Sequence, residues 1–284
     1  MKKPLLLFCS FLSLFACSAE PHKIVYLISP PRSLSVGFLR MIEARGDFKI
    51  FHEPTISVYH RVNQFIFSQD WFKEGAFQTF DEVKEAIFKE NSNVFVKEMS
   101  FSLREFIDED LIKKPNVYFV FLLRNPHHTV ISLYNKIGSI VEDFQVATGY
   151  QAAYEIFQKI VESGARRPLV LFSEELASKP EEVVKTFCDY VEIPFEEKAL
   201  SWQNLGENFG GHQEWHESKR TDLTQHWHGD AIQSTEFKPL KTYDVDDFGN
   251  PTFSEIKDSK DRKECEKTYL RNLPYYLFFK ETHP

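Results

Sequence analysis

The chain has 284 residues, 42% hydrophobic and 27% charged, which suffices for one large domain or two small ones around a substantial core. Its formal net charge of −8 argues against a general nucleic-acid binder, which would present a basic face, although a local basic pocket can sit inside an acidic protein. Beyond residue 20 there is no apolar run of about 18 residues, so no later segment reads as a bilayer-spanning helix.

Residues 1–20 stand apart. Lys2 and Lys3 precede an apolar stretch from Leu5 to Ala16, and small residues follow at Cys17, Ser18 and Ala19. That is the build of a secretory signal, so an exported protein is expected, whether periplasmic, secreted or lipid-anchored. Leu14-Phe15-Ala16-Cys17 also has the form of a bacterial lipoprotein box. The first strand starts close behind it and leaves little tether for a lipid. The plain alternative is a cytoplasmic protein that keeps an apolar N-terminus.

From residue 21 to 284 the pattern is that of a single domain in which strands alternate with helices. Ile24 to Ser29 is a strand, Val36 to Ala44 a helix and Lys49 to His52 a strand. Phe80 to Lys89 has helical spacing, Val94 to Lys97 is a strand, and Leu103 to Ile112 is helical. The unbroken apolar run Val117 to Leu123 suits the middle of a parallel sheet buried on both faces. Helices follow at Thr129 to Ile140 and Gly149 to Ser163, then a strand at Leu169 to Phe172 and a helix at Pro180 to Tyr190. Residues 201–252 read as a loop-rich segment covering a substrate or cofactor site. A terminal helix is expected from about residue 254 to between 276 and 280. Strands separated by helix-length segments imply an α/β three-layer sandwich with a central, mainly parallel sheet.

Cysteine adds little. If Cys9 and Cys17 leave with a signal, Cys188 and Cys265 remain. Cys188 lies on an apolar helix face and reads as a buried thiol, with a single disulfide between the two left open.

Two crossings from strand to helix carry the chemistry. In the first, Pro30-Pro31-Arg32-Ser33-Leu34-Ser35-Val36 leads from the first strand into the first helix. Unpaired amides at such a turn, with the helix dipole behind them, attract phosphate. Ser33 and Ser35 can add hydroxyl donors, and Arg32 offers a planar fork suited to phosphate or sulfate oxygens. The alternative is a solvated turn with Ser33 capping the helix. The Gly-x4-Gly-Lys-[Ser/Thr] pattern of a nucleoside triphosphatase is absent.

In the second crossing, the buried strand runs into Arg124, and Pro126 opens a helix bearing Ser132 eight residues on. Ligands bind at the carboxyl ends of strands in open α/β sheets. The bland reading is an arginine that caps a helix or pairs with a carboxylate. A third cluster, His212, His216, His226 and His228, has one pair at zinc-ligand spacing, but no His-Glu-x-x-His is present, and Trp215 and Trp227 among them suit an acceptor or nucleotide pocket or a plain surface loop.

Taken together, the two crossings resemble the sulfotransferase family, whose members use 3′-phosphoadenylyl sulfate. There a Pro-[Lys/Arg]-Ser-Gly-Thr-Thr loop grips the 5′-phosphosulfate, and an arginine with a serine eight residues on grips the 3′-phosphate. Pro31-Arg32-Ser33-Leu34-Ser35-Val36 is similar to the first motif, and Arg124 with Ser132 to the second. His52-Glu53-Pro54, Lys97-Glu98-Met99, residues 193–202 and residues 226–237 also resemble a bacterial and fungal branch of the family.

The resemblance implies a P-loop-like sulfotransferase fold and 3′-phosphoadenylyl sulfate as co-substrate, with no metal. It also implies a small-molecule, carbohydrate or peptide acceptor. Arg32, Ser33, Leu34, Ser35, Val36, Arg124 and Ser132 would bind the donor, Arg32 would also stabilise the leaving oxygen, and Lys97 would bridge the sulfuryl oxygens. Leu34 stands where the family has glycine and Val36 where it has a hydroxyl. Met99 stands where cytosolic members carry a catalytic histidine, so Glu53, about twenty residues past the loop, takes the place of the base used in the tyrosylprotein and carbohydrate branches. The alternative is an inactive sulfotransferase-like protein that binds a nucleotide or a protein partner.

Overall fold

The computed structural model describes residues 21–63, 77–140, 144–204 and 221–283. Its centre is β1 (Ile24–Ser29), whose residues are all buried. After α1 (Ser35–Arg45), the chain forms β2 (Lys49–His52), α2 (Ile56–Asn63), α3 (Phe80–Lys89) and β3 (Val94–Met99). Next come α4 (Ser100–Phe106), α5 (Glu109–Ile112) and β4 (Val117–Leu123), the last buried throughout. The second half holds α6 (Pro126–Ile137), α7 (Phe144–Ala147), α8 (Tyr150–Glu162) and β5 (Leu169–Phe172). It closes with α9 (Ser173–Ser178), α10 (Pro180–Val191), α11 (Thr221–Ile232) and α12 (Ser259–Thr282).

The strands run in the order β2-β3-β1-β4-β5, and every pair is parallel. Alternate residues of β1 feed opposite faces. Ile24, Tyr26 and Ile28 pack under α3, α4, α5, α8 and α12, while Val25 and Leu27 pack under α1 and α10. This is an α/β three-layer sandwich, as the strand and helix spacing implies.

The connection after β1 leads to β2 on one side of it, whereas the connection after β4 leads to β5 on the other. The strand order therefore reverses between β1 and β4. A crevice opens at the carboxyl ends of the strands at such a point.

Three local expectations change. The segment 103–112 is two helices, because Ile107 is extended and Asp108 starts a new turn by accepting from the Leu111 amide at 2.7 Å. The loop-rich segment holds α11, whose backbone and Ile232 are fixed by tertiary contacts that local propensity does not show. The terminal helix starts at Ser259, where Asp258 caps it, and runs on through Pro274 to Thr282. Cys188 and Cys265 are separate buried thiols, so the disulfide left open by the sequence does not form. The expected signal segment, His212 and His216 lie outside the described residues. No helix among the described residues is long and apolar enough to cross a membrane.

Candidate active site

Each candidate residue sits at or just past the carboxyl end of a parallel strand. Arg32 follows β1, Glu53 follows β2, Lys97 lies near the end of β3 and Arg124 follows β4. The sheet puts these ends side by side, and the turns then set the side chains.

The turn after β1 is built from left-handed backbone. Arg32 has φ 62° and Leu34 φ 63°, and Leu34, not Ser33, is the residue that precedes the helix. A side chain in that region costs about 1–2 kcal/mol, and Leu34 holds it where glycine would be free of that cost. The Leu34 carbonyl accepts from Phe38 N at 3.1 Å, which starts α1 and leaves the amides of its first turn without intrahelical partners. Ser33 and Ser35 are buried, and Val36 is half-buried. The Ser33 hydroxyl faces the Pro31 carbonyl at 3.5 Å.

The two arginines meet here. Arg124 Nη1 donates to the Arg32 carbonyl at 2.9 Å, and its Nη2 to the Lys241 carbonyl at 2.5 Å. Arg32 Nε donates to Ser132 Oγ at 3.1 Å and Nη1 to the Trp227 carbonyl at 2.9 Å. Ser132 thus accepts from the first arginine, a pairing the spacing did not specify. The Nε of Arg124 is buried and has no hydrogen-bond partner among the described residues. Burial lowers the pKa of both guanidinium groups, and at Arg32 the charge of Arg124 adds to the fall while Asp230 opposes it.

Two hydroxyls missed at the sequence level lock this arrangement. Ser173 Oγ, just past β5, lies 2.7 Å from the Ser33 carbonyl and 3.0 Å from that of Leu123, and so ties the first turn to the end of β4. Tyr150 OH lies 2.5 Å from the Arg124 carbonyl and 2.8 Å from Thr129 Oγ1. Ser173 carried a readable signal, a polar residue directly after an apolar strand. Tyr150 carried none.

On the other side of β1, Lys97 Nζ forms an ion pair with Glu53 Oε1, and both residues are buried. Glu53 has φ 48°, and its amide donates to the Lys97 carbonyl at 2.7 Å. His52 Nε2 lies 3.6 Å from the same carboxylate oxygen. Met99 Sδ is 3.8 Å from Lys97 Nζ.

Helix α11 spans both halves. Besides Trp227 on Arg32, its His226 carbonyl accepts from Lys136 Nζ at 2.6 Å, and His226 Nε2 lies 2.9 Å from the Lys136 carbonyl. His228 packs its ring edge-on to His52 at 5.2 Å. Burial pushes His228 down to about 3 and holds His52 well below its ordinary value, with Lys97 adding to both shifts. Burial thus favours the neutral form of both rings, and the charged groups around the cleft include Arg32, Arg124, Lys97 and Lys136 with Glu53, Asp230 and Glu174. Such a cleft favours a polyanion. No group of three or more His, Cys, Asp or Glu poised for a metal occurs among the described residues.

A family model described as a sulfotransferase domain matches residues 23–253. No curated protein matches the chain. Among solved structures, the chain is similar to the sulfotransferase domain from the curacin biosynthetic pathway at 18% identity, over 89% of this chain and 98% of that one, with a TM-score of 0.46. It is similar to the sulfotransferase domain of the Synechococcus PCC 7002 olefin synthase at 17% identity, over 78% and 91%, with a TM-score of 0.42. The sulfotransferase from Alicyclobacillus acidocaldarius is 11% identical over 75% and 94%, with a TM-score of 0.40.

Proposed function

This chain belongs to the sulfotransferase domain family, and from that premise we propose that it moves the sulfuryl group of 3′-phosphoadenylyl sulfate onto a hydroxyl or amine acceptor, with Glu53 as base. The observation that carries this reading is the joining of Arg32 and Arg124 in one cleft at the point where the strand order reverses. Two guanidinium groups and the free amides of α1 suit a nucleotide that bears anionic groups at both ends. The buried, unsatisfied Nε of Arg124 is a donor that a phosphate oxygen would complete.

In this reading the acceptor oxygen attacks sulfur in line with the bridging oxygen of the donor. The sulfur–oxygen bond to the phosphate breaks, its electron pair stays on that phosphate, and adenosine 3′,5′-bisphosphate leaves. Arg32 steadies the leaving oxygen. Glu53 takes the acceptor proton, a contribution of about 10²–10⁴-fold for a well-placed base. As Glu53 becomes neutral, Lys97 loses its counter-charge, and its ammonium turns to the sulfuryl oxygens. Most of the catalysis is positioning and charge stabilisation, as in phosphoryl transfer.

The second reading is a binder without turnover. It is favoured by Leu34, which stands in left-handed backbone where the family has glycine, and by Arg32, whose guanidinium already serves Ser132 and Trp227. Calorimetry with adenosine 3′,5′-bisphosphate on wild type and Arg124→Ala tests donor binding. Turnover of labelled 3′-phosphoadenylyl sulfate by wild type and Glu53→Gln tests catalysis. Normal turnover by Glu53→Gln removes the base assignment.

A further inference from the structure

We propose that Glu98 is held as a neutral carboxylic acid and is the residue that positions Glu53, through a proton-ordered chain running Glu98–Thr55–Ser102–Met99 carbonyl. The proposal rests on the reading of Glu53 as base and adds to it.

Lys97 and Glu98 are neighbours on β3, so they face opposite sides of the sheet. Lys97 goes to Glu53. Glu98 is fully buried and turns to the segment that follows Glu53. Its Oε1 accepts from Thr55 N at 3.0 Å, and its Oε2 lies 2.8 Å from Thr55 Oγ1. Thr55 Oγ1 lies 3.0 Å from Ser102 Oγ, and Ser102 Oγ lies 3.0 Å from the Met99 carbonyl.

These are four hydrogen-bonding contacts, and four protons serve them without sharing. An ionised Glu98 leaves three: the Thr55 amide, the Thr55 hydroxyl and the Ser102 hydroxyl. One close oxygen–oxygen contact would then be unbridged inside the core. A protonated Glu98 supplies the fourth proton and fixes every direction. Its O–H donates to Thr55 Oγ1, Thr55 donates to Ser102, and Ser102 donates to the Met99 carbonyl. Burial acts the same way on Glu98, pushing it up to about 8 against the two Thr55 hydrogen bonds, which favour the charged form, and the Glu53 charge adds to the shift. The nearby cation that would oppose this, Lys97, is paired with Glu53. A neutral acid used as a donor in a dry site has precedent in enzyme chemistry.

The chain matters because of what it holds. Glu53 sits at φ 48°, with its amide on the Lys97 carbonyl and its own carbonyl accepting from Ile56 N at 3.0 Å. Thr55 is the anchor on the far side, and its carbonyl accepts from Tyr59 N at 2.9 Å. A single strand therefore grips the turn twice, at Glu53 through Lys97 and at Thr55 through Glu98. Because Glu98 is neutral, the full charge of Lys97 remains for Glu53.

The full-length protein tests this without any acceptor. The infrared difference between wild type and Glu98→Gln at neutral pH is expected to show loss of a carboxylic-acid C=O band. The Thr55 amide is expected to exchange slowly in wild type and in Glu98→Gln, whose amide side chain reproduces the acceptor and the donor, and quickly in Glu98→Ala. Absence of the band, or equal loss of Thr55 protection in both variants, overturns the proposal. Should Glu98→Ala fail to fold, Thr55→Val serves, since it removes the acceptor of the acid proton and is expected to shift the band; an unmoved band overturns the proposal. Where turnover of 3′-phosphoadenylyl sulfate to a simple phenol is measurable, Glu98→Ala is expected to lower kcat on the order of tenfold to a hundredfold with little change in KM for the donor, and Glu98→Gln to restore it. If Glu53→Gln turns over normally, the base reading fails, while the band and the Thr55 exchange still decide the state of Glu98.

Discussion

The guanidinium of Arg124 donates to the backbone carbonyl of Arg32 at 2.9 Å, so one cation of the cleft braces the turn that carries the other. The two arginines are ninety-two positions apart in the chain and are brought together because β1 and β4 are adjacent strands.

Arg124→Ala is expected to weaken adenosine 3′,5′-bisphosphate binding by about tenfold to a hundredfold, since a hydrogen bond to a charged group contributes about 1.5–3 kcal/mol. Ser132→Ala removes one neutral hydroxyl and should cost only a few-fold. Titration calorimetry measures both. Wild-type affinity in Arg124→Ala would remove the donor reading.

Glu53→Gln keeps the shape of the site and removes the proton acceptor. It is expected to bind adenosine 3′,5′-bisphosphate normally and to lose about 10²–10⁴ in turnover. Lys97→Met behaves differently, because it strands a buried carboxylate. Breaking a buried pair in this way costs about 3–5 kcal/mol, which a denaturation curve will show. The double variant Glu53→Gln/Lys97→Met should recover much of that stability.

Leu34→Gly and Leu34→Ala separate backbone strain from packing. Leu34 is half-buried against the α1–α10 layer and holds φ 63°. Glycine loses the packing but relieves the strain, whereas alanine loses the packing and keeps it. Leu34→Ala is therefore expected to be the less stable by about 1 kcal/mol. Leu34→Gly is also expected to bind the bisphosphate more tightly than wild type, because phosphate can approach the loop amides. Equal or weaker binding would mean that Leu34 does not obstruct the cradle.

Stability should depend on pH in two opposite ways. Glu98 keeps its proton in the folded chain up to about 8, whereas the unfolded chain releases it near 4.5. The folded state therefore holds the extra proton between those values, and stability falls as pH rises through that window, by up to about 1.4 kcal/mol per pH unit. Glu98→Gln should flatten the fall. Burial depresses His228 to about 3 from 6.5, so its contribution is present above 6.5 and is lost as pH drops toward 3. Chemical denaturation across both windows, with His228→Gln as the partner variant, measures the two slopes.

Some of the site is legible in the sequence, for physical reasons that can be named. Val117 to Leu123 is apolar without a break, so it must be buried on both faces, and a charged residue straight after it, Arg124, must emerge at the sheet edge where ligands meet. The Arg32 turn was legible for the same reason. The helix α11 was not, because Thr221–Ile232 mixes Thr, His and Gly with few strong helix formers, and its place comes from Arg32 and Lys136 gripping its backbone. Glu98 was passed over as well. An acidic residue beside a lysine on a strand looks like a solvated pair until the sheet sends them to opposite faces.

By itself, the sequence determined which segments are strands, which are buried, and which polar residues stand at their carboxyl ends, because burial and periodicity are local properties of the chain. Only the tertiary structure decided that β1 lies between β3 and β4. Strand order is set by how distant segments share one core, and this order turns Arg32, Arg124, Glu53 and Lys97 into neighbours and gives Glu98 its proton-ordered chain.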